Sequence, residues 1–61
     1  MPSPKFEVYK DKKKQFRFRL KAPNGQIIAV GEPYTTKAGC LKGIESVKKN
    51  APGAAVVEVD S

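Results

Sequence analysis

The chain has 61 residues, with twelve lysines and arginines against six aspartates and glutamates, a formal net charge of +6, no histidine and one cysteine. That length allows one domain with a thin stability margin, because below about 70 to 80 residues burial roughly cancels the cost of ordering the chain unless a disulfide, a metal or a partner helps. Cys40 alone cannot close an internal disulfide, and a chain without histidine lacks both a zinc ligand set and the usual general base, so association with a second copy is the expected staple.

The first third of the chain carries all of the net charge. Residues 1–21 hold eight basic side chains against Glu7 and Asp11, whereas residues 22–61 hold four against four. Phe16, Phe18 and Leu20 alternate with Arg17, Arg19 and Lys21, the period of a strand with one apolar and one cationic face. Phe6 and Val8 alternate with Glu7 and Tyr9 in the same sense, which predicts a preceding strand and a hairpin. Both apolar sets are even-numbered, so the connection holds an odd number of residues: three (Asp11 to Lys13) or five (Asp11 to Gln15). In either register Glu7 faces an arginine, Arg17 or Arg19.

Pro23-Asn24-Gly25 spells a second turn, with proline presetting φ and glycine accepting the left-handed conformation. A three-residue turn with a bulge places Ile28 opposite Leu20 and Val30 opposite Phe18 on the buried face. A two-residue Asn-Gly turn reverses that assignment.

Gly31 and Pro33 end the third strand, and Thr35 or Thr36 is placed to accept from the free N–H groups that open a helix. Cys40, Leu41, Ile44, Val47 and Ala51 then form one apolar stripe at helical spacing. Lys37, Lys42, Glu45, Lys48 and Lys49 lie off it. Lys48 and Lys49 suit the negative end of the helix dipole, and Asn50, Pro52 and Gly53 stop the helix. The β-branched run at residues 55–59 reads as a fourth strand. Only Pro52 to Ala54 separate it from the helix, so it runs back along a sheet edge, its own chain's or a neighbour's. The predicted fold is therefore α+β, a β-β-β-α-β unit with an antiparallel sheet and one helix packed on one face. It forms a single domain over residues 1–61 with an ordered core of about 5–59.

Phe6-Glu7-Val8-Tyr9-Lys10-Asp11, Phe16-Arg17-Phe18-Arg19-Leu20-Lys21-Ala22, the turn Asn24-Gly25, and above all Tyr34 through Cys40 with Gly43 through Ala51 resemble the YegP-like family of small uncharacterised prokaryotic proteins, in its single-repeat form. The resemblance covers nearly the whole chain. It implies a β-β-β-α-β unit used twice, as tandem repeats or as two subunits, in one sheet with exchanged C-terminal strands. For one unit it implies a homodimer, with Ala55, Val56, Val57, Glu58 and Val59 as the exchanged strand. It implies no activity, because the biochemical role of the family is not established. The chain departs from the family at Lys12-Lys13-Lys14, where relatives often carry a glycine, and at Gly31 and Pro33, where a serine and a glycine are common.

No catalytic, cofactor-binding or metal-binding residue is assigned, and no cofactor and no enzymatic activity are expected. Cys40, Ser3, Ser46 and Ser61 have no histidine to act as base, and Cys40 sits on the apolar stripe, where a free cysteine serves as a small hydrophobe. Gly39 and Gly43, four apart on the helix, read as a place of close packing of helix on sheet or of helix on its dimer mate. There is no run of about 18 apolar residues, and Met1-Pro2-Ser3-Pro4 lacks the apolar core of a signal peptide. A cytoplasmic protein with no membrane partner is therefore expected.

The constellation with functional content is the outward face of the first hairpin: Lys5, Tyr9, Arg17, Arg19 and Lys21, extended by Lys12, Lys13 and Lys14. Cations interleaved with an aromatic on a sheet suit single-stranded nucleic acid, through phosphate contacts and base stacking. The same residues also keep a strand face soluble and guard an edge. The expected role is a small non-enzymatic homodimeric interaction or structural module of unknown protein partner, with nucleic-acid or polyanion binding as the alternative.

Overall fold

The alternating segments form strands where the pattern places them. The computed structural model describes residues 3–60, so Met1, Pro2 and Ser61, the last among the serines weighed above, lie outside the described residues. Strands β1 (Lys5–Lys10), β2 (Phe16–Lys21) and β3 (Ile27–Val30) make one antiparallel sheet in the order β1-β2-β3. Helix α1 (Lys37–Asn50) follows and runs into a 3₁₀ turn over Ala51–Gly53.

The first hairpin pairs Glu7 with Arg19, Val8 with Phe18 and Lys10 with Phe16, the register of the five-residue connection. Inside that connection the Asp11 N–H donates to the Gln15 carbonyl (2.9 Å) and the Lys14 N–H to the Asp11 carbonyl (3.0 Å). The reversal is thereby confined to Lys12-Lys13-Lys14, and Lys14 takes the left-handed conformation at φ 63°.

The second turn forms over Pro23-Asn24-Gly25 as the three-residue version requires. The Ala22 N–H donates to the Gln26 carbonyl (2.8 Å), the Gly25 N–H to the Ala22 carbonyl (2.9 Å), and Gly25 sits at φ 88°. Lys21 faces Ile27 in the expected register, but a bulge between Leu20 and Lys21 then shifts the pairing, so that Leu20 faces Ala29 and Arg19 faces Val30. This overturns the burial of Ile28 and Val30, which are 58% and 60% exposed. The reason is steric. The Gly31 N–H donates to the Phe18 carbonyl (2.9 Å), and the Phe18 ring fills the space that a β-carbon at Gly31 would occupy. The place beside Phe18 thus admits glycine and not valine.

The core is small: Phe18, Cys40 and Ile44 are buried, with Phe6, Val8, Phe16, Tyr34 and Val47 packed around them. Phe6 meets Phe18 edge-on with centroids 5.9 Å apart, and Tyr34 stacks on Phe18 at 6.3 Å. Two backbone hydrogen bonds of 2.8 Å between Phe16 and Tyr34 anchor the link from β3 to the helix. Thr36 is the N-cap, its hydroxyl accepting from the Gly39 N–H at 3.0 Å. The packing role of Gly39 and Gly43 is an intrachain one. Tyr34 lies across them, and a β-carbon at Gly43 would overlap its phenol oxygen. Cys40 is fully enclosed, whereas Leu41, expected on the buried stripe, is 45% exposed. The helix face turned to the sheet is centred on Cys40, Ile44 and Val47, and Leu41 is left on its flank.

The expected fourth strand does not form within the chain. Residues 54–60 carry no strand assignment, and Val56, Val57 and Val59 are 98%, 73% and 82% exposed. The tail pairs with neither β1 nor β3, which remain the two edges of the sheet. The radius of gyration is 13.0 Å, against about 10.5 Å for a compact chain of this length. Among the described residues, no helix is long and apolar enough to cross a membrane.

Candidate functional site

The hairpin register builds the outward face of the sheet. Period-2 alternation turns Lys5, Glu7 and Tyr9 of β1 and Arg17, Arg19 and Lys21 of β2 away from the helix, and antiparallel pairing sets Lys5 beside Lys21, Glu7 beside Arg19 and Tyr9 beside Arg17. Glu7 becomes the hub of one cluster. Its carboxylate accepts from Arg19 Nε at 2.7 Å and stands 3.4 Å from Lys21 Nζ and 3.6 Å from Lys5 Nζ. The hydrogen bond from Arg19, followed by that from Lys21, holds its carboxyl below the ordinary glutamate value.

A second cluster forms at the hairpin tip. Asp11 Oδ1 accepts from the backbone N–H of Lys13 (2.8 Å) and of Gln15 (3.0 Å), and Oδ2 accepts from Arg17 Nε (2.7 Å). The Arg17 hydrogen bond, with the backbone donors behind it, lowers the Asp11 pKa. Asp11 therefore fixes the turn and one arginine together. Next to it a shallow depression of about 300 Å³ is lined by Tyr9, Asp11, Lys12, Lys13 and Arg17. The Arg19 guanidinium lies 4.9 Å from the centroid of the Tyr9 ring and covers part of it.

The eight residues singled out on this face thus divide. Tyr9, Lys12, Lys13 and Arg17 come together around the depression, Lys5, Arg19 and Lys21 converge on Glu7, and Lys14 occupies the exposed left-handed turn position. Sequence reasoning paired Glu7 with an arginine but missed the organising role of Asp11. The available signal was an aspartate opening a tight turn, the position from which a side-chain oxygen caps the next N–H groups. Cys40 is buried in the core, so its thiol takes no part in any surface site.

A second surface is apolar. Ile27, Ile28 and Val30 of the edge strand β3 are exposed, as are Val56, Val57 and Val59 of the tail. Both carry backbone groups available for pairing.

The match to known proteins is extensive. The model of a domain of unknown function, DUF1508, matches residues 11–58. A "UPF0339 protein" of Treponema denticola is 76% identical over 55 residues, covering 90% of this chain and 95% of the relative. The "UPF0339 protein in ptx operon 5'region" of Stutzerimonas stutzeri is 62% identical over 53 residues, but these cover 87% of this chain and only 48% of that protein. Among solved structures, the NMR solution structure of the protein from Haloferax volcanii superimposes with a TM-score of 0.87 at 47% identity, covering 97% of this chain and 100% of that one.

Proposed function

Because this chain belongs to the DUF1508 family, a domain of unknown function, we propose its role from its surface: a small non-enzymatic module that works as a homodimer with exchanged C-terminal strands. The observation that carries this reading is the exposed apolar tail. The accessible surface of the chain is 5258 Å², about a third more than a folded monomer of its mass exposes. Three exposed valines in five tail residues contribute to that excess. Adding the tail of one copy to a sheet edge of the other satisfies its backbone and buries those valines, as strand addition does generally.

Of the two edges, β3 is the better acceptor. It presents Ile27, Ile28 and Val30, whereas β1 is flanked by Lys5 and Lys10, which guard an edge against pairing. The Stutzerimonas relative, of which this chain covers less than half, has room for two such units in one polypeptide. Nucleic-acid binding across the whole outward face has less support, since Glu7 engages Lys5, Arg19 and Lys21.

Sedimentation at micromolar concentration is the test. The full chain is expected to run as a dimer and Val57→Asp as a weakened dimer or monomer, with amide protection of residues 27–30 lost in parallel. A folded monomer whose residues 55–59 are hydrogen-bonded inside the same molecule overturns the reading.

A further inference from the structure

We propose that the depression at the tip of the first hairpin is a binding site for the phosphate of a small phosphomonoester, with Lys12, Lys13 and Arg17 as its cationic donors and Tyr9 as its aromatic wall. The site is independent of the dimer and lies on the opposite face of the sheet from the helix.

The cations at the tip differ from those along the strands. Among the described residues, Lys5, Arg19 and Lys21 share the Glu7 carboxylate, while neither Lys12 nor Lys13 forms an ion pair. Arg17 is paired with Asp11, but through Nε only. A guanidinium carries four further N–H donors on its terminal nitrogens, and these are the ones that grip phosphate in a fork.

Asp11 appears at first to oppose an anion, yet its lone pairs are directed elsewhere. Oδ1 is engaged by two backbone N–H groups and Oδ2 by Arg17. Its effect is to hold the Lys12-Lys13 backbone and the Arg17 side chain in place before a ligand arrives, which reduces the ordering cost of binding. Asp11 is thus a positioning residue.

Charge and shape select the ligand. Three cations and one carboxylate line the depression, a surplus of two positive charges that suits the charge of about −1.5 to −2 on a phosphomonoester at neutral pH better than a singly charged diester or carboxylate. The depression is shallow and open, so it can seat a phosphate while the body attached to it lies across the surface beside Tyr9. Tyr9 gives the remainder of the ligand a surface of aromatic carbon, steadied from one side by Arg19. The ligand class is therefore a compact phosphate ester with a planar or apolar body, of which a nucleoside 5′-monophosphate is the accessible probe.

Amide chemical-shift titration of the full-length protein provides the test, with a nucleoside 5′-monophosphate, the parent nucleoside and inorganic phosphate compared at physiological salt. The expected result is saturable binding of the monophosphate in the millimolar range or tighter, with shifts confined to residues 9–17. The nucleoside should not bind, and free phosphate should bind more weakly. Lys12→Ala with Lys13→Ala should weaken binding about tenfold, the scale of losing charge-assisted contacts, while Lys48→Ala with Lys49→Ala should leave it unchanged. Asp11→Asn should weaken binding although it removes a negative charge, an outcome that separates positioning from plain electrostatics. Shifts spread over all lysines, equal loss in the Lys48/Lys49 variant, or tighter binding by Asp11→Asn would each overturn the proposal. Equal affinity for free phosphate would overturn the ester assignment.

Discussion

The glycines of the helix show how much one missing carbon can decide. Gly43 sits mid-helix, where alanine is the better helix former by about 1 kcal/mol, yet the Tyr34 phenol occupies the space its β-carbon needs. Tyr34 cannot move freely, because its backbone is bonded to Phe16 and its ring stacks on Phe18. Gly43→Ala should therefore destabilise the protein by about 1–3 kcal/mol, the usual cost of overpacking. Urea unfolding measures this, and Gly43→Ala combined with Tyr34→Phe should recover part of the loss. Gly31 beside the Phe18 ring follows the same logic with less room still. The spacing of Gly39 and Gly43 announced close packing, but the identity of the intruding ring follows only from the path of the chain after β3.

At the level of elements, the two hairpin turns solve one geometric problem with different residues. Each closes three residues and needs the last in the left-handed region, which Gly25 provides at φ 88° and Lys14 at φ 63°. A side chain in that region costs roughly 1–2 kcal/mol, while glycine costs about 0.5–1 kcal/mol in unfolded-state entropy. Lys14→Gly should accordingly raise stability by about 0.5–1 kcal/mol, read as a higher urea midpoint with an unchanged slope. Because Lys14 does not line the depression, the variant should keep its phosphomonoester affinity. The first three strands were legible from alternation, and parity of the apolar positions narrowed the first register to two, of which the structure takes the five-residue connection. The register shift between Leu20 and Lys21, beyond the bulge expected at the turn, was not legible, because it answers to the Phe18 ring.

Over the whole molecule, the cationic outward face is partly neutralised by two carboxylates, Glu7 and Asp11, and that pairing is sensitive to acid. Glu7 and Asp11 both titrate below their ordinary values of 4.5 and 3.8 in the folded chain. A lowered folded pKa means stability that is fully present above the ordinary value and is lost as pH falls through the lowered one. Protonation also adds to a net charge already at +6, so self-repulsion grows in the same window. The urea midpoint should hold steady above the carboxylate range and fall steadily below about pH 4, with a shallower fall for Glu7→Gln combined with Asp11→Asn. A midpoint that rises on acidification would contradict the ion-pair assignment. The tail belongs to this scale as well, since its exposed valines are the observation on which the proposed strand exchange rests.

Pattern and composition alone specify the α+β class, three of the four expected strands with the one helix, the Pro-Asn-Gly turn, the burial of Cys40 and the cationic face of the first hairpin. Each of these follows from periodicity or from the local chemistry of a few adjacent residues. Packing in three dimensions sets Gly31 and not Val30 beside Phe18, leaves Leu41 off the core and residues 55–59 unpaired within their own chain, and lets Asp11 gather Arg17 and the lysine turn around one depression. These outcomes depend on contacts between residues distant in sequence, where the volume of a ring or the reach of a carboxylate selects among registers that local pattern leaves equal in energy.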